Sequence, residues 1–197
     1  GNNGGDPFVA ARFLDDYDAT VHLLGRSETI ATDIARENWD ALVAAAYDAR
    51  AVRDSRDLDL GAPDVIVDAM LGTGVTGALR EPERSAAAAI NESEATVVAV
   101  DVPSGVDADT GEAAGVAVDA DHVVTFHDDK PGLGGWDVTV ADIGIPETAE
   151  LFAGPGDRRL LSRPSDAHKG DFGEVLVVGG GPYTGAPALA AQAAMRA

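Results

Sequence analysis

Two apolar runs, Asp64 to Leu71 and Ala95 to Val102, each carry a carboxylate at or near their end and then turn on Gly, Pro or Ser. Between them lies an Ala-rich helical stretch, Glu83 to Asn91. A strand, a helix and a second strand of this kind form a crossover unit, which needs a parallel partner and burial on both faces. The runs Ala19 to Leu24, Ala49 to Arg53, His122 to Phe126 and Val138 to Ile143 have the same β-rich character. Residues 6 to 17 and Glu28 to Tyr47 carry helical apolar spacing between them. The pattern predicts an α/β fold with a largely parallel sheet, both apolar runs buried on their two faces. Ligands of such sheets bind outside the carboxyl ends of the strands, so loops there are where chemistry is expected.

Three of these loops are rich in glycine and side-chain oxygen. Gly1-Asn2-Asn3-Gly4-Gly5-Asp6 opens the chain and leads into a helix, whose N-terminus favours negative charge. Taken alone, it reads first as a turn and helix cap. Asp68 precedes Gly72-Thr73-Gly74-Val75-Thr76-Gly77-Ala78, which resembles a phosphate loop without the lysine of a P-loop. A carboxylate ending an apolar strand must be paired, hydrogen-bonded or bound to a cation, because isolated burial costs several kcal/mol. Asp101-Val102-Pro103-Ser104-Gly105 follows the dry run Ala95 to Val100, and Asp101 is the residue expected to carry acid–base chemistry. Oxygens from Asn3, Asp68 and Ser104 suit a hard monovalent cation better than a transition metal. Lys130 stands out because lysine is so scarce, 2 against 12 arginines. It reads either as a solvated surface lysine or as a ligand contact. The four histidines show no metal spacing, and Trp39 and the phenylalanines are expected in the core.

Bulk properties narrow the classes further. Without cysteine the chain has no disulfide, thiolate nucleophile or Cys-ligated metal. No apolar run approaches the roughly 18 residues of a membrane span. A net charge of −20, from 34 acidic and 14 basic residues, argues against a nucleic-acid partner. The acid is mostly aspartate, 24 against 10 glutamates, as expected of a surface kept hydrated in a KCl-rich, halophilic cytoplasm. The chain begins without Met on a loop motif, which reads as a piece whose preceding strand is missing.

The four motifs in series resemble those of the NAD(P)H-hydrate epimerase family, in the form fused to a dehydratase. The resemblance runs through residues 1–6, Asp68 with residues 72–78, residues 101–105, and Thr125-Phe126 with Lys130-Pro131-Gly132. It implies a Rossmann-like three-layer sandwich with a mainly parallel sheet over residues 1–152, lacking an N-terminal strand and helix. A linker at 153–164 would follow, then at 165–197 the first βα unit of a ribokinase-like, ADP-dependent dehydratase domain. The tail that carries this last reading is His168-Lys169-Gly170 to Tyr183-Thr184-Gly185-Ala186-Pro187, with a strand at Glu174 to Val178.

The activity implied is repair of damaged nicotinamide cofactors. R and S hydrates of NAD(P)H would be epimerised here, and the S form dehydrated at the expense of ADP, or ATP in some relatives. The hydrate would be bound by Asn2, Asn3, Gly4, Gly5, Asp6, Gly72, Thr73, Gly74, Val75, Thr76, Gly77, Ala78, Asp101, Lys130 and Ala186. Asp101 would be catalytic, and Asn3, Asp68 and Ser104 would hold potassium. A cytoplasmic enzyme with a small-molecule substrate is expected, and a homo-oligomer is allowed. Pro7 stands where the family usually has Gly, removing a donor and fixing φ. The competing reading is a non-catalytic binding or scaffold module of the same fold.

Overall fold

A computed structural model describes residues 3–74, 76–151, 176–177 and 185–194. The chain divides into two compact units, Gly1–Ile145 and Pro146–Ala197. In the first, α1 (Asp6–Ala10), β1 (Thr20–Leu24), α2 (Asp33–Ala44), β2 (Asp48–Val52), β3 (Val65–Asp68), α3 (Glu83–Asn91), β4 (Thr96–Val100), β5 (His122–Phe126) and β6 (Val138–Ala141) follow in order. In the second, α4 (Glu147–Leu151) and α5 (Gly185–Ala194) are described, and Ala186 lies in the first turn of α5. The predicted linker, the expected strand at 174–178 apart from Leu176 and Val177, and most of the loop after it lie outside the described residues, as do Asn2 and Val75; Leu176 and Val177 are exposed and in no strand.

Among the described residues every strand pairing is parallel, as the alternation predicts. The strands form two sheets, β1-β2 and β3-β4-β5-β6. The helices explain why each sheet is amphipathic. On α2, Ala35, Trp39 and Leu42 are buried at a spacing of four and three residues, one helical face. Trp39 meets Phe8 of α1 edge to face, with ring centroids 5.3 Å apart, and Val21, Leu23 and Ala49 close that cluster. The larger core lies on one face of the four-stranded sheet, where Ala87 and Ile90 of α3 meet Ile66, Val97, Ala99 and Val123.

Several boundaries differ from the sequence reading for identifiable reasons. The first helix stops at Ala10 and a single tight turn carries it to Phe13, well short of residue 17. Asp15, Asp16 and Asp18 would put negative charge at the negative end of the helix dipole. The second helix starts at Asp33, because Thr32 is extended and occupies the cap position. It ends where Ala46 adopts a left-handed φ of 59°, with Tyr47 N–H donating to the Leu42 carbonyl. The run 64–71 is a strand only to Asp68 and is not buried on both faces. Val65 and Val67 are about half exposed while Ile66 and Asp68 are buried. β3 pairs on one side only and, among the described residues, its second face lacks a covering helix. Phe13 is exposed rather than in the core. Pro7 falls in the first turn of α1, where a helix has no use for the missing N–H.

Candidate active site

β3 and β4 run side by side with Asp68 opposite Ala99, so the chain leaves both strands on one rim of the sheet. Asp68 is 1% exposed. Its Oδ2 accepts the Ser104 N–H at 2.7 Å, and its Oδ1 accepts the Ser104 hydroxyl at 2.7 Å and the Met70 N–H at 3.2 Å. Burial pushes the Asp68 carboxyl above its ordinary value, and these three hydrogen bonds pull the other way. Ser104 Oγ in turn accepts the Leu71 N–H at 3.0 Å. One carboxylate therefore ties the turn after β4 to the turn after β3.

Asp101 ends β4 by adopting a left-handed φ of 72°, an uncommon conformation for a residue with a side chain. Its N–H still completes the sheet, donating to the Val124 carbonyl at 2.7 Å. The twist turns the carboxylate towards the neighbouring loops. Oδ2 accepts the Thr73 N–H at 3.3 Å and Oδ1 accepts the Thr125 hydroxyl at 3.4 Å. Lys130 Nζ lies 3.6 Å from Oδ1. Asn3 arrives from the opening turn, donating through Nδ2 to the Val100 carbonyl at 3.5 Å. A Cβ at Gly72 would sit 2.9 Å from Asp101 Oδ2 and 3.1 Å from Asn3 Cγ, so glycine is what lets these three loops meet. Asp6 belongs to the same neighbourhood: burial, and then the Asp101 charge, raises its carboxyl above the ordinary value.

The structure thus brings Asn3, Gly72, Thr73, Asp101 and Lys130 together, with Asp68 and Ser104 joined to them through Leu71. An adjoining cleft is lined by Thr73, Thr76, Asp107, Ala108, Asp109, Lys130 and Pro131. Gly74 and Gly77 face open space, and Ala78, also exposed, is 3.4 Å from where a Gly115 Cβ would stand. Gly4 lies against the Ala69 carbonyl, whereas Gly5 packs on α2, where a Cβ would come within 2.9 Å of Ala35 Cβ. Sequence reasoning gave Thr125 no role, although it is the one polar residue between Val123 and Phe126 of an otherwise apolar segment. It lies fully buried beside Asp101 because Val100 and Val124 are in register. The cleft residues Asp107 to Asp109 were likewise missed; nothing in their local pattern separates them from an ordinary acidic turn. His122 is held by Asp137 and Thr139, and no group of three or more metal-ligating His or acidic side chains occurs among the described residues.

The family model described as "YjeF-related protein N-terminus" matches residues 1–132. Over its whole length the chain is 49% identical to the bifunctional NAD(P)H-hydrate repair enzyme Nnr of Methanothermobacter thermautotrophicus and 50% identical to that of Archaeoglobus fulgidus, covering 41% and 42% of those proteins. The chain therefore spans about two-fifths of the length of these curated relatives. It is 46% identical to the NAD(P)H-hydrate epimerase of Cenarchaeum symbiosum over 76% of this chain and 73% of that protein. The crystal structure of yeast ynu0 shares the fold with a TM-score of 0.62, at 22% identity, over 86% of this chain and 70% of that one. The motifs at 1–6, 68–78, 101–105 and 125–132, and with them the site from Asn3 to Pro131, lie inside the matched region: the chain belongs to the YjeF-related protein N-terminus family.

Proposed function

We infer that this chain is the epimerase part of a bifunctional NAD(P)H-hydrate repair enzyme. The observation that carries the reading is the carboxylate of Asp101, twisted out of the sheet into a cluster formed by Asn3, Gly72, Thr73, Thr125 and Lys130. Its hydrogen bonds are long and it is 15% exposed, so it can exchange a proton with a bound molecule. In the step proposed, a proton passes from Asp101 to the ring hydroxyl of the hydrate. The carbon–oxygen bond breaks with its electron pair and water leaves. The ring nitrogen lone pair stabilises the cation, water adds to the opposite face, and its proton returns to Asp101. Opening and reclosing of the ring would use the same proton carrier. The glycine-bordered loops at 3–6 and 72–78 bind and orient the nucleotide, with Asn2 and Val75 retained as contacts from the family resemblance.

Potassium fits the donor chemistry at Asn3, Asp68 and Ser104. Asp68 is a buried carboxylate whose protonation is favoured by burial, and none of the ion pairs among the described residues involves it. The Asn3 amide, Asp68 carboxylate and Ser104 hydroxyl are hard oxygen ligands. A bound cation supplies the positive charge that this carboxylate lacks. Replacing KCl by NaCl at equal ionic strength is expected to weaken substrate binding, seen as a rise in KM. Equal KM in both salts would remove the assignment, because ionic screening is the same in each.

In the full-length protein the epimerase would feed an ADP-dependent dehydratase, with ATP as donor in some relatives. No helix among the described residues is long and apolar enough to cross a membrane, and the acidic surface fits a KCl-rich cytoplasm. The test is equilibration of chromatographically separated R and S hydrates by the full-length protein in molar KCl. A non-catalytic module would bind without interconverting them. Gly72→Ala separates the roles of site and scaffold. Its Cβ meets side-chain atoms of Asp101 and Asn3 rather than backbone, so the protein folds while the carboxylate is displaced. The rate is expected to fall about tenfold or more, with stability within about 1 kcal/mol of the parent. An active Gly72→Ala variant would mean that the meeting of these loops is not used.

A further inference from the structure

Lys130 is built into the fold with unusual firmness. It begins the tight turn Pro131–Leu133, whose Leu133 is wholly buried in the main core and donates its N–H to the Lys130 carbonyl at 2.9 Å. The next residue but one, Gly132, is wedged against the 107–111 loop and donates to the Ala108 carbonyl at 2.8 Å. The side chain folds back so that Nζ donates to the carbonyls of Phe126 and Asp128, both at 2.8 Å. These two bonds use two of the three ammonium hydrogens, and the next group along is Asp101 Oδ1, at 3.6 Å. Lys130 is 20% exposed, so its charge is spent inside the protein rather than in solvent.

The choice of residue carries information. The chain uses arginine for 12 of its 14 basic positions, yet has lysine here. A guanidinium is a flat fork of five donors, whereas an ammonium presents three donors tetrahedrally. A compact ammonium can sit between two carbonyls of one turn and a carboxylate beyond another strand, where a flat fork has less freedom.

We propose that Lys130 is a positioning residue for Asp101: clamped by the Phe126 and Asp128 carbonyls, it holds its ammonium charge beside Oδ1 as an ion pair and fixes the carboxylate that moves the proton. This rests on the epimerase reading above and reassigns Lys130 from holding the substrate to holding the acid–base group. Thr125 on the same oxygen and the Thr73 N–H on the other complete the cradle. Both donors are neutral, so Lys130 supplies its charge.

The experiment is a double-mutant cycle in the full-length protein, read as kcat and KM separately. Lys130→Met is expected to lower kcat about tenfold or more with KM within about twofold, the signature of lost positioning rather than lost binding. Lys130→Arg is not expected to restore it. In an Asp101→Asn background, Lys130→Met is expected to add less than about a twofold further loss, because the two residues act as one unit. A raised KM with kcat kept, or losses that multiply, would overturn the assignment. A measurement without substrate decides the contact itself. In lysine-labelled protein, the ammonium-methylene NMR signal that vanishes in Lys130→Met is expected to shift on Asp101→Asn. If that signal stays put, the contact is refuted, whatever the protein does to hydrates. If it shifts while the parent leaves the two epimers unmixed, the epimerase reading fails and the contact stands.

Discussion

Asp101→Asn is expected to slow interconversion of the R and S hydrates by about a hundredfold or more, the scale of lost general acid–base catalysis, while leaving the fold intact. Asparagine is the informative substitution because the site demands a left-handed backbone. At φ 72° alanine would add strain to the loss of the carboxyl group, whereas asparagine is among the side-chain-bearing residues that tolerate this region. The amide keeps one acceptor oxygen for the Thr73 N–H, and its NH2 then faces the Thr125 hydroxyl, which can turn to accept instead of donate. What it cannot do is carry the proton. Chromatographic separation of the epimers gives the rate, and thermal unfolding in the same buffer checks the fold. Parent-like turnover in a folded Asp101→Asn protein would remove Asp101 from the mechanism and leave the cluster as a binding site.

The site was legible where chemistry conflicts with local structure. Asp68 and Asp101 are carboxylates at the ends of apolar strands, and Asn3 and Gly72 sit in turns without apolar periodicity. Each is a poor choice for an element and a good one for a rim, and the structure gathers all four within a few ångströms of Gly72 or Ser104. Parallel pairing was legible for a related reason, since alternating helix and strand leaves few other ways to connect. What stayed hidden depends on partners distant in sequence. Val65 and Val67 have the composition of buried residues, and only the arrangement of neighbouring strands leaves them exposed. Thr125 enters the sequence reading only as part of the Thr125-Phe126 motif, and its role shows only when register sets it beside Asp101. The early end of α1 was locally encoded in the carboxylates at 15, 16 and 18, but apolar Phe13, Leu14 and Tyr17 masked it. Gly5 shows the opposite error: a glycine in a ligand-like motif can be required by a helix behind it.

Gly132→Ala is expected to destabilise the protein by at least about 3 kcal/mol, above the usual range for a single substitution, because the methyl group has nowhere to go. A Cβ there would stand 2.5 Å from the Asp107 carbonyl oxygen, 2.5 Å from the Gly111 nitrogen and 2.7 Å from the Ala108 carbonyl oxygen. All three are backbone atoms, so no side chain can swing aside. The loop they belong to is itself stiff: the Asp107 carboxylate accepts from the Asp109 and Thr110 N–H groups, each at 3.0 Å, and Gly111 holds a φ of 75°. Relief would therefore separate the 107–111 loop from the turn that carries Lys130 and buries Leu133, breaking the Gly132 to Ala108 hydrogen bond. Gly135→Ala is the matched control, since nothing lies within 4 Å of where its methyl group would stand and a change of about 0.5 kcal/mol or less is expected. Urea unfolding of parent and both variants in molar KCl reads the difference as a shift in midpoint. A Gly132→Ala protein as stable as the Gly135→Ala control would mean that the two loops do not interlock, and the rigid seat assigned to Lys130 would go with them.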